Sequence, residues 1–293
     1  MSIKMRDMIL KSGSDDSHCD NIKTEICYLS KESKHENEKP YEMRYDPGRE
    51  FPRTNMSNDF RSVTIRNFRQ LQDSQSFEKY GFTAIKVDCS MTASEFDDEE
   101  KVYRIYYPEI EELLHQIFPD AVEIKILEHG IRKRHDEFGT KSQQAFETAQ
   151  PATAVHIDYS PYSAHRTAWA LNANPDQYRR LLTVNVWKPL RGGGNDWPLA
   201  FCDSRTIDHT SECIVADVVF PNRFTENVRL YYSPKHEWYY FKDLMDDEVI
   251  IFRQTDSALD GAGGVAHASF YNPKADRNAV PRASIEVRAY VFY

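Results

Sequence analysis

Residues 155–160 read Val-His-Ile-Asp-Tyr-Ser, a short run of apolar and β-favouring residues that is typical of a strand. Side chains alternate between the two faces of a strand, so His156 and Asp158 are predicted to point the same way. An imidazole and a carboxylate on one face can bind a single metal ion together. A His–Asp hydrogen bond on a strand is the competing interpretation, and this segment alone leaves both open.

A third metal ligand has to come from a distant part of the chain, and His267 is the candidate. It ends the loop-like stretch at residues 261–267, which reads Gly-Ala-Gly-Gly-Val-Ala-His. Two histidines and one carboxylate on one triangular face of an octahedron leave three positions open. That ligand set is typical of non-haem Fe(II) oxygenases, which need open positions for O2 and a co-substrate.

Residues 282–291 alternate between polar and apolar side chains, which predicts a strand. One of its faces carries Arg282, Ser284, Glu286 and Arg288. A solvated sheet face explains this pattern, and so does the interior of a barrel. Inside a barrel, an arginine beside a hydroxyl is suited to a dicarboxylate co-substrate, because the planar guanidinium binds a carboxylate through two parallel hydrogen bonds.

Several blocks along the chain, taken in order, resemble a known family. They are residues 81–82 (GF), 106–114 (YYPEIEELL), 155–160 (VHIDYS), 185–189 (NVWKP), 198–203 (PLAFCD), 238–241 (WYYF), 246–252 (DDEVIIF), 256–257 (DS) and 282–288 (RASIEVR). With the order His-x-Asp, distant His, Arg-x-Ser, they resemble the Fe(II)/2-oxoglutarate-dependent dioxygenases. The resemblance is greatest to the fungal and bacterial hydroxylase/desaturase group that includes gibberellin desaturases, AsaB-like proteins and CmcJ, and it covers about residues 45–293.

The resemblance implies an α+β, mainly β fold: a double-stranded β-helix of the cupin-like jelly-roll type with flanking helices. It also implies an oxidoreductase of secondary-metabolite biosynthesis. Such an enzyme oxidises a C–H bond of a small molecule by hydroxylation, desaturation or oxidative cyclisation. Its cofactors would be Fe(II), 2-oxoglutarate as co-substrate and O2, with ascorbate in a supporting role.

For the site, the resemblance implies that His156, Asp158 and His267 are the iron ligands and the catalytic residues. Arg282, helped by Ser284, would bind the distal carboxylate of 2-oxoglutarate. Arg288 lies on the same predicted strand face and is the rival for that role.

Three further residues are predicted as substrate contacts. His165 is a candidate because it follows the ligand strand closely along the chain. Trp187 and Tyr240 could line the pocket, although a place in the hydrophobic core explains both equally well.

Two other functions remain compatible with the sequence. A non-catalytic accessory or binding protein with the same fold would have no need of all three metal ligands. A cupin-type dioxygenase that uses O2 without 2-oxoglutarate would leave Arg282 without a carboxylate partner.

Composition bounds the partners and the compartment. The 37 basic and 46 acidic residues give a net charge of −9, which argues against nucleic acid or an anionic membrane as partner. No apolar run approaches the roughly 18–20 residues of a membrane span. The 5 cysteines show no paired spacing, and residues 1–10 lack an apolar secretory region. We therefore expect a cytoplasmic protein. The family resemblance implies a small-molecule substrate, and we expect a monomer or homodimer.

The chain divides into two unequal parts. Residues 1–45 are rich in Lys, Glu, Asp, Ser and His and are predicted to be a disordered extension, because ordering costs about 1–2 kcal/mol per residue and little apolar surface is available to offset it. Residues 46–293 are predicted to form one catalytic domain, with an α/β part at about 46–135 and a jelly-roll core at about 120–293. Helices are predicted at residues 109–118 and 176–182.

Overall fold

The computed structural model describes residues 20–73, 75–139, 146–171, 173–191, 195–259, 263–276 and 278–293. The strands are β1 (Ile22–Leu29), β2 (Tyr41–Met43), β3 (Asn58–Asn67), β4 (Phe82–Lys86), β5 (Glu123–Lys133), β6 (His156–Ile157), β7 (Leu181–Pro189), β8 (Leu199–Cys202), β9 (Cys213–Val219), β10 (Phe224–Leu230), β11 (Trp238–Tyr240), β12 (Glu248–Asp256), β13 (His267–Ser269) and β14 (Ala283–Phe292). The α-helices are α1 (Ser76–Tyr80), α2 (Glu99–Lys101), α3 (Tyr107–Ile117) and α4 (Pro161–Ala170).

The strands form two sheets that face each other. The larger sheet has nine strands in the order β1-β3-β11-β8-β13-β6-β10-β9-β2, and the smaller has five in the order β4-β12-β7-β14-β5. Neighbouring strands come from distant parts of the sequence, as in a jelly roll. Aromatic residues of both sheets share one hydrophobic cluster, including Phe82 and Phe252 from the five-stranded sheet and Phe201 and Tyr239 from the other. The prediction of a mainly β jelly-roll core is confirmed.

The outer face of the five-stranded sheet is covered by α3. Pro108 lies in the first turn of this helix, where a missing N–H costs nothing. Ile110, Leu113 and Leu114 are buried against the odd-numbered side chains of β14. The helix predicted at residues 109–118 is confirmed, and the even-numbered face of β14 is left to point between the two sheets. No helix in the described part of the chain is long and apolar enough to cross a membrane.

The helix predicted at residues 176–182 is wrong. A single 3-10 turn covers Pro175–Gln177, with the Asn174 side chain accepting a hydrogen bond from the N–H of Asp176. The chain then enters β7, which begins at Leu181. All nine residues of β7 are buried: β12 and β14 pair with its two edges, and its side chains contribute to separate hydrophobic clusters. Burial from both faces favours an apolar strand here over a short amphipathic helix.

The structure also differs from the predicted disordered extension at residues 1–45. Residues 1–19 lie outside the described residues. Ile22–Leu29, by contrast, forms β1, which pairs along its whole length with β3. Ile22, Ile26 and Tyr28 are buried in a hydrophobic cluster with residues of the nine-stranded sheet. The polar run at residues 30–39 dominates the composition of residues 1–45. The average composition therefore does not reveal the short apolar segment Ile22–Leu29 that precedes it.

Because β1 contributes to this core, truncating one of its buried side chains should destabilise the whole protein. Ile26 is 1% exposed, so we expect Ile26→Ala to lower the free energy of unfolding by about 2–5 kcal/mol. Lys23→Ala, at an exposed position of the same strand, should change it by no more than about 0.5 kcal/mol. Urea denaturation of both variants measures this. Equal stabilities for the two would show that β1 is not part of the cooperative core.

Candidate metal centre

Two adjacent strands of the nine-stranded sheet bring the predicted ligands together. In the antiparallel pair of β6 and β13, His156 lies directly opposite His267. Asp158 follows immediately after β6 and lies on the same side as His156, with Nε2 of His156 3.2 Å from Oδ1 of Asp158. One ligand atom from each of the three residues lies within 4.8 Å of the other two. The strand-face argument and the distant third histidine therefore converge on one cluster.

Both histidines are oriented by a backbone carbonyl. Nδ1 of His156 lies 2.8 Å from the carbonyl oxygen of Ala154, and Nδ1 of His267 lies 3.2 Å from that of Val265. A carbonyl can only accept, so each Nδ1 donates its proton and each Nε2 keeps a free lone pair. This outer contact is the one that metal-binding histidines usually make.

The carboxylate of Asp158 is held in a comparable way. Its Oδ2 accepts hydrogen bonds from Nδ2 of Asn185 at 2.6 Å and from Nε of Arg288 at 3.1 Å. Asn185 and Arg288 are directly opposite each other on β7 and β14, so both reach across from the five-stranded sheet. The backbone N–H of Asp158 donates to Oε1 of Gln254 at 2.7 Å. These contacts leave Oδ1 facing the histidines.

The electrostatics favour the protonation states that bind metal. Burial raises the pKa of Asp158, but the neighbouring Arg288 and His156 lower it by more, and the pKa lies well below its usual value. Burial and the nearby His156 lower the pKa of His267 to about 3. Near neutral pH, Asp158 is therefore a carboxylate and His267 a neutral imidazole, as metal ligation requires. The residues present fit a divalent iron ion.

Arg282, the predicted anchor for the co-substrate, is buried near this centre. Its Nη1 donates to the hydroxyl of Ser269 at 2.6 Å and to the carbonyl of Trp197 at 2.7 Å, and its Nε donates to Ser284 at 3.3 Å. Among the described residues, no side-chain hydrogen bond of Arg282 goes to a carboxylate. Burial and the charge of Arg132 lower the pKa of Arg282 to about 9, so its guanidinium is charged at neutral pH without a paired anion.

Arg288, the rival, is already neutralised. Besides Asp158, it pairs with Glu128 at 2.8 Å and with Glu286 at 3.2 Å. Burial lowers the pKa of Arg288, but Asp158 and Glu286 raise it by more, to well above its usual value. Unlike Arg282, Arg288 lines the large cavity at this centre. Its contacts suit it to holding Asp158 in position.

A cavity of about 600 Å³ opens beside His156 and Asp158. The three predicted substrate contacts do not line it. His165 is on the exposed face of α4, with Nε2 2.9 Å from Oδ1 of Asp176. Tyr240 is buried in the core, and its hydroxyl donates to the carbonyl of Asp20. Trp187 is also buried, and the guanidinium of Arg282 lies 5.0 Å from its ring. Trp187 and Tyr240 are buried core residues, in line with the core explanation. His165 points away from the cavity because it lies on the solvent-exposed face of α4.

Sequence reasoning missed several residues of this site. Asn185, Gln254 and Arg229 all contact or flank the ligands, yet none stands near them in sequence. Asn185 begins one of the blocks that carry the family resemblance, and an amide side chain between Val184 and Val186 was the available signal. The strand β10, which carries Arg229 beside β6, was not predicted either.

Comparison with known proteins agrees with this geometry. The family model "YDMC: Oxidoreductase/YMDC permease-like domain" matches residues 26–292. The fold is that of a jelly-roll protein, and in it His156, Asp158 and His267 could hold one metal ion. The chain belongs to the Fe(II)/2-oxoglutarate-dependent dioxygenase-like hydroxylase/desaturase family, and it is an oxidoreductase of the hydroxylase/desaturase type.

Individual relatives support the assignment. The chain is 30% identical over 238 residues to the Fe(II)/2-oxoglutarate-dependent dioxygenase nvfI of Aspergillus novofumigatus, covering 78% of this chain and 82% of that protein. It is 29% identical over 256 residues to the hydroxylase/desaturase CTB9 of Cercospora beticola, covering 80% and 76%. The solved structure of the iron and alpha-ketoglutarate-dependent endoperoxidase NvfI superposes with a TM-score of 0.80 at 24% identity, covering 94% of this chain and 98% of that chain. This structural likeness confirms the jelly-roll fold.

Proposed function

We propose that this chain is a non-haem Fe(II)/2-oxoglutarate-dependent oxygenase of secondary-metabolite biosynthesis and that His156, Asp158 and His267 hold its iron. The observation that carries the proposal is the cluster itself: one ligand atom from each of two histidines and one aspartate lies within 4.8 Å of the other two, and each side chain is oriented by an outer hydrogen bond. Three protein ligands leave positions for a chelating co-substrate and O2.

The iron, when bound with 2-oxoglutarate and O2, supplies the oxidising power for C–H oxidation while 2-oxoglutarate is converted to succinate and CO2. The residues of this chain bind, orient and exclude water. Asn185 and Arg288 hold Oδ2 of Asp158, so Oδ1 is the oxygen that would bind the iron. The aromatic residues Phe252 and Phe201 pack against the ring of His267 and keep that side of the centre dry.

Arg282 is proposed as the partner of the distal carboxylate of 2-oxoglutarate. Ser269, which accepts a hydrogen bond from Arg282, is two residues beyond His267 on β13 and so lies on the same strand face, about 7 Å away. A buried guanidinium without a carboxylate partner destabilises the folded protein unless a bound anion pairs with it. The hydroxyls of Ser269 and Ser284 stand beside it as further hydrogen-bonding groups.

The setting of the enzyme is also part of the proposal. The cavity of about 600 Å³ is of a size that holds a small organic molecule. The cysteines Cys27, Cys89, Cys202 and Cys213 are free thiols, which suits a reducing compartment such as the cytoplasm. We propose a small-molecule substrate and a monomeric or homodimeric enzyme, with ascorbate as a supporting reductant.

The assay that tests the function is succinate release from the purified chain. We expect succinate when Fe(II), 2-oxoglutarate and O2 are all present, at a low rate without the organic substrate, and none when Fe(II) or O2 is left out. O2 consumption that continues without 2-oxoglutarate would instead support the cupin-type dioxygenase. A protein that binds Fe(II) but neither binds nor consumes 2-oxoglutarate would contradict the proposal and favour an accessory role.

A further inference from the structure

Arg229 is a buried cation that the proposed chemistry does not use. It is on β10 and is 6% exposed. In the described part of the chain its guanidinium takes part in no ion pair, and its Nε is buried without a hydrogen-bond partner. The acidic residue whose field acts on it, Glu42, is itself paired with Arg44, at 3.3 Å. A buried charge without a partner destabilises a protein unless a ligand compensates it.

The position of Arg229 places it next to the metal centre. Arg229 lies directly opposite His156 in the antiparallel pair of β10 and β6, and His156 in turn lies opposite His267 on β13. Directly opposite residues point to the same side of a sheet, with Cβ atoms about 4.5–5.5 Å apart. The three side chains therefore form a row across three strands, and Arg229 and His156 both line the cavity of about 600 Å³.

A second unpartnered group stands beside Arg229. Asn227 is two residues earlier on β10, so its side chain shares the same face, and it also lines the cavity. The residue is 7% exposed, and its Oδ1 is buried without a hydrogen-bond partner among the described residues. Unpaired buried polar atoms are rare in native proteins. Here a cationic donor and a neutral acceptor are unpaired side by side.

The charge of the cavity differs from that of the whole protein. The chain has a net charge of −9. The cavity lining, by contrast, holds six arginines and four acidic residues: Arg44, Arg132, Arg166, Arg223, Arg229 and Arg288 against Glu42, Glu128, Asp158 and Glu226. A cleft of positive sign in an acidic protein attracts and concentrates an anionic ligand.

We propose that Arg229 and Asn227 form a subsite that binds a carboxylate group of the primary substrate, with a neighbouring hydroxyl or N–H of the substrate donating to Asn227. The inference rests on the proposed function, because it assigns the organic substrate of that same centre. The subsite is distinct from the proposed co-substrate anchor, since Arg282 immediately precedes β14, a strand of the opposite sheet. It orients the substrate by its anionic end, beside His156.

The first test needs no ligand. Arg229→Met removes the charge and keeps the length of the side chain, so we expect a higher Tm than that of the wild type in the substrate-free protein. Arg288→Met, in the same cavity but with three carboxylate partners, should lower the Tm. A lower Tm for Arg229→Met would mean that Arg229 has a structural role, and the proposal would be overturned.

The second test uses 2-naphthoate and the neutral 2-naphthylmethanol as matched probes. Binding is measured by calorimetry on the metal-free protein and again, anaerobically, with saturating Fe(II) and 2-oxoglutarate. We expect the wild type to prefer 2-naphthoate, and Arg229→Gln to weaken its binding by about ten- to a hundredfold. Arg179→Gln, which changes the charge equally at an exposed position outside the cavity lining, should keep its binding within about threefold.

The outcomes separate this inference from the proposed function. Equal affinity of the wild type for the two probes, or no binding of either, overturns the carboxylate subsite. Unchanged 2-naphthoate binding in Arg229→Gln does the same. Weakened 2-oxoglutarate binding in Arg229→Gln would assign Arg229 to the co-substrate. The proposed function fails on a different measurement, the absence of Fe(II) and 2-oxoglutarate binding in the wild type.

Discussion

His267→Ala should abolish succinate release and lower the affinity for Fe(II) by more than roughly 100-fold. Loss of an outer hydrogen-bonding partner alone costs about 10–100-fold in metal affinity, and the loss of a ligand should cost more. Equilibrium dialysis of Fe(II) under anaerobic conditions measures the affinity, and we expect one ion per chain in the wild type. Asp158→Asn, which keeps the shape of the side chain, should show the same loss.

His165→Ala is the matched control for this experiment. His165 is another histidine near the ligand strand in sequence, but its side chain is exposed and pairs with Asp176 on the surface. Its removal should leave Fe(II) binding and succinate release near the wild-type level. Retained stoichiometry in both His267→Ala and Asp158→Asn, with the fold intact by circular dichroism, would show that the iron is held elsewhere.

Local periodicity in the sequence places two of the three proposed ligands together, whereas His267 is proposed as the distant histidine and through the family resemblance. His156 and Asp158 share a face by the two-residue repeat of a strand, and that relation holds even though β6 is only two residues long. The even-numbered face of β14 was equally readable as a solvated surface. The position of α3 distinguishes the two interpretations. The helix covers the apolar odd-numbered face of β14, so the polar residues of the other face lie inside the barrel.

The rest of the site depends on contacts between distant segments. Asn185 reaches Asp158 because β7 and β14 are neighbours in the five-stranded sheet, and single-sequence periodicity does not specify which strands pair. Arg229 stands beside His156 for the same reason, through the pairing of β10 with β6. The strand β1 was missed because its burial requires β3 and the nine-stranded sheet, while its flanking sequence is highly polar.

Arg282 immediately precedes β14 and Arg288 lies on it, yet their substitution should affect different ligands. Arg282→Ala should raise the apparent 2-oxoglutarate constant by roughly 100- to 1000-fold. Removing one partner of a buried ion pair costs about 3–5 kcal/mol, and each ~1.4 kcal/mol changes a dissociation constant tenfold. Fe(II) binding should stay near normal, because the side-chain hydrogen bonds of Arg282 go to Trp197, Ser269 and Ser284, and none of these is a proposed iron ligand.

Arg288→Ala should give the opposite pattern. It removes the hydrogen bond from Nε of Arg288 to Oδ2 of Asp158 and leaves Asn185 as the remaining donor to that oxygen. We expect Fe(II) affinity to fall by about 10–100-fold and the 2-oxoglutarate constant, measured at saturating Fe(II), to change little. Both constants come from calorimetry on the same preparations.

Arg282→Lys is the control for the possibility that Arg282→Ala loses 2-oxoglutarate binding only because it is misfolded. It keeps the charge and most of the length but cannot reproduce the two-pronged geometry of a guanidinium, so only part of the 2-oxoglutarate affinity should return. If Arg288→Ala is the variant that loses 2-oxoglutarate while Arg282→Ala keeps it, Arg288 is the anchor and Arg282 has a structural role through Trp187 and Ser269. If neither variant changes the 2-oxoglutarate constant, neither arginine binds the co-substrate, and the assignment of its anchor is wrong.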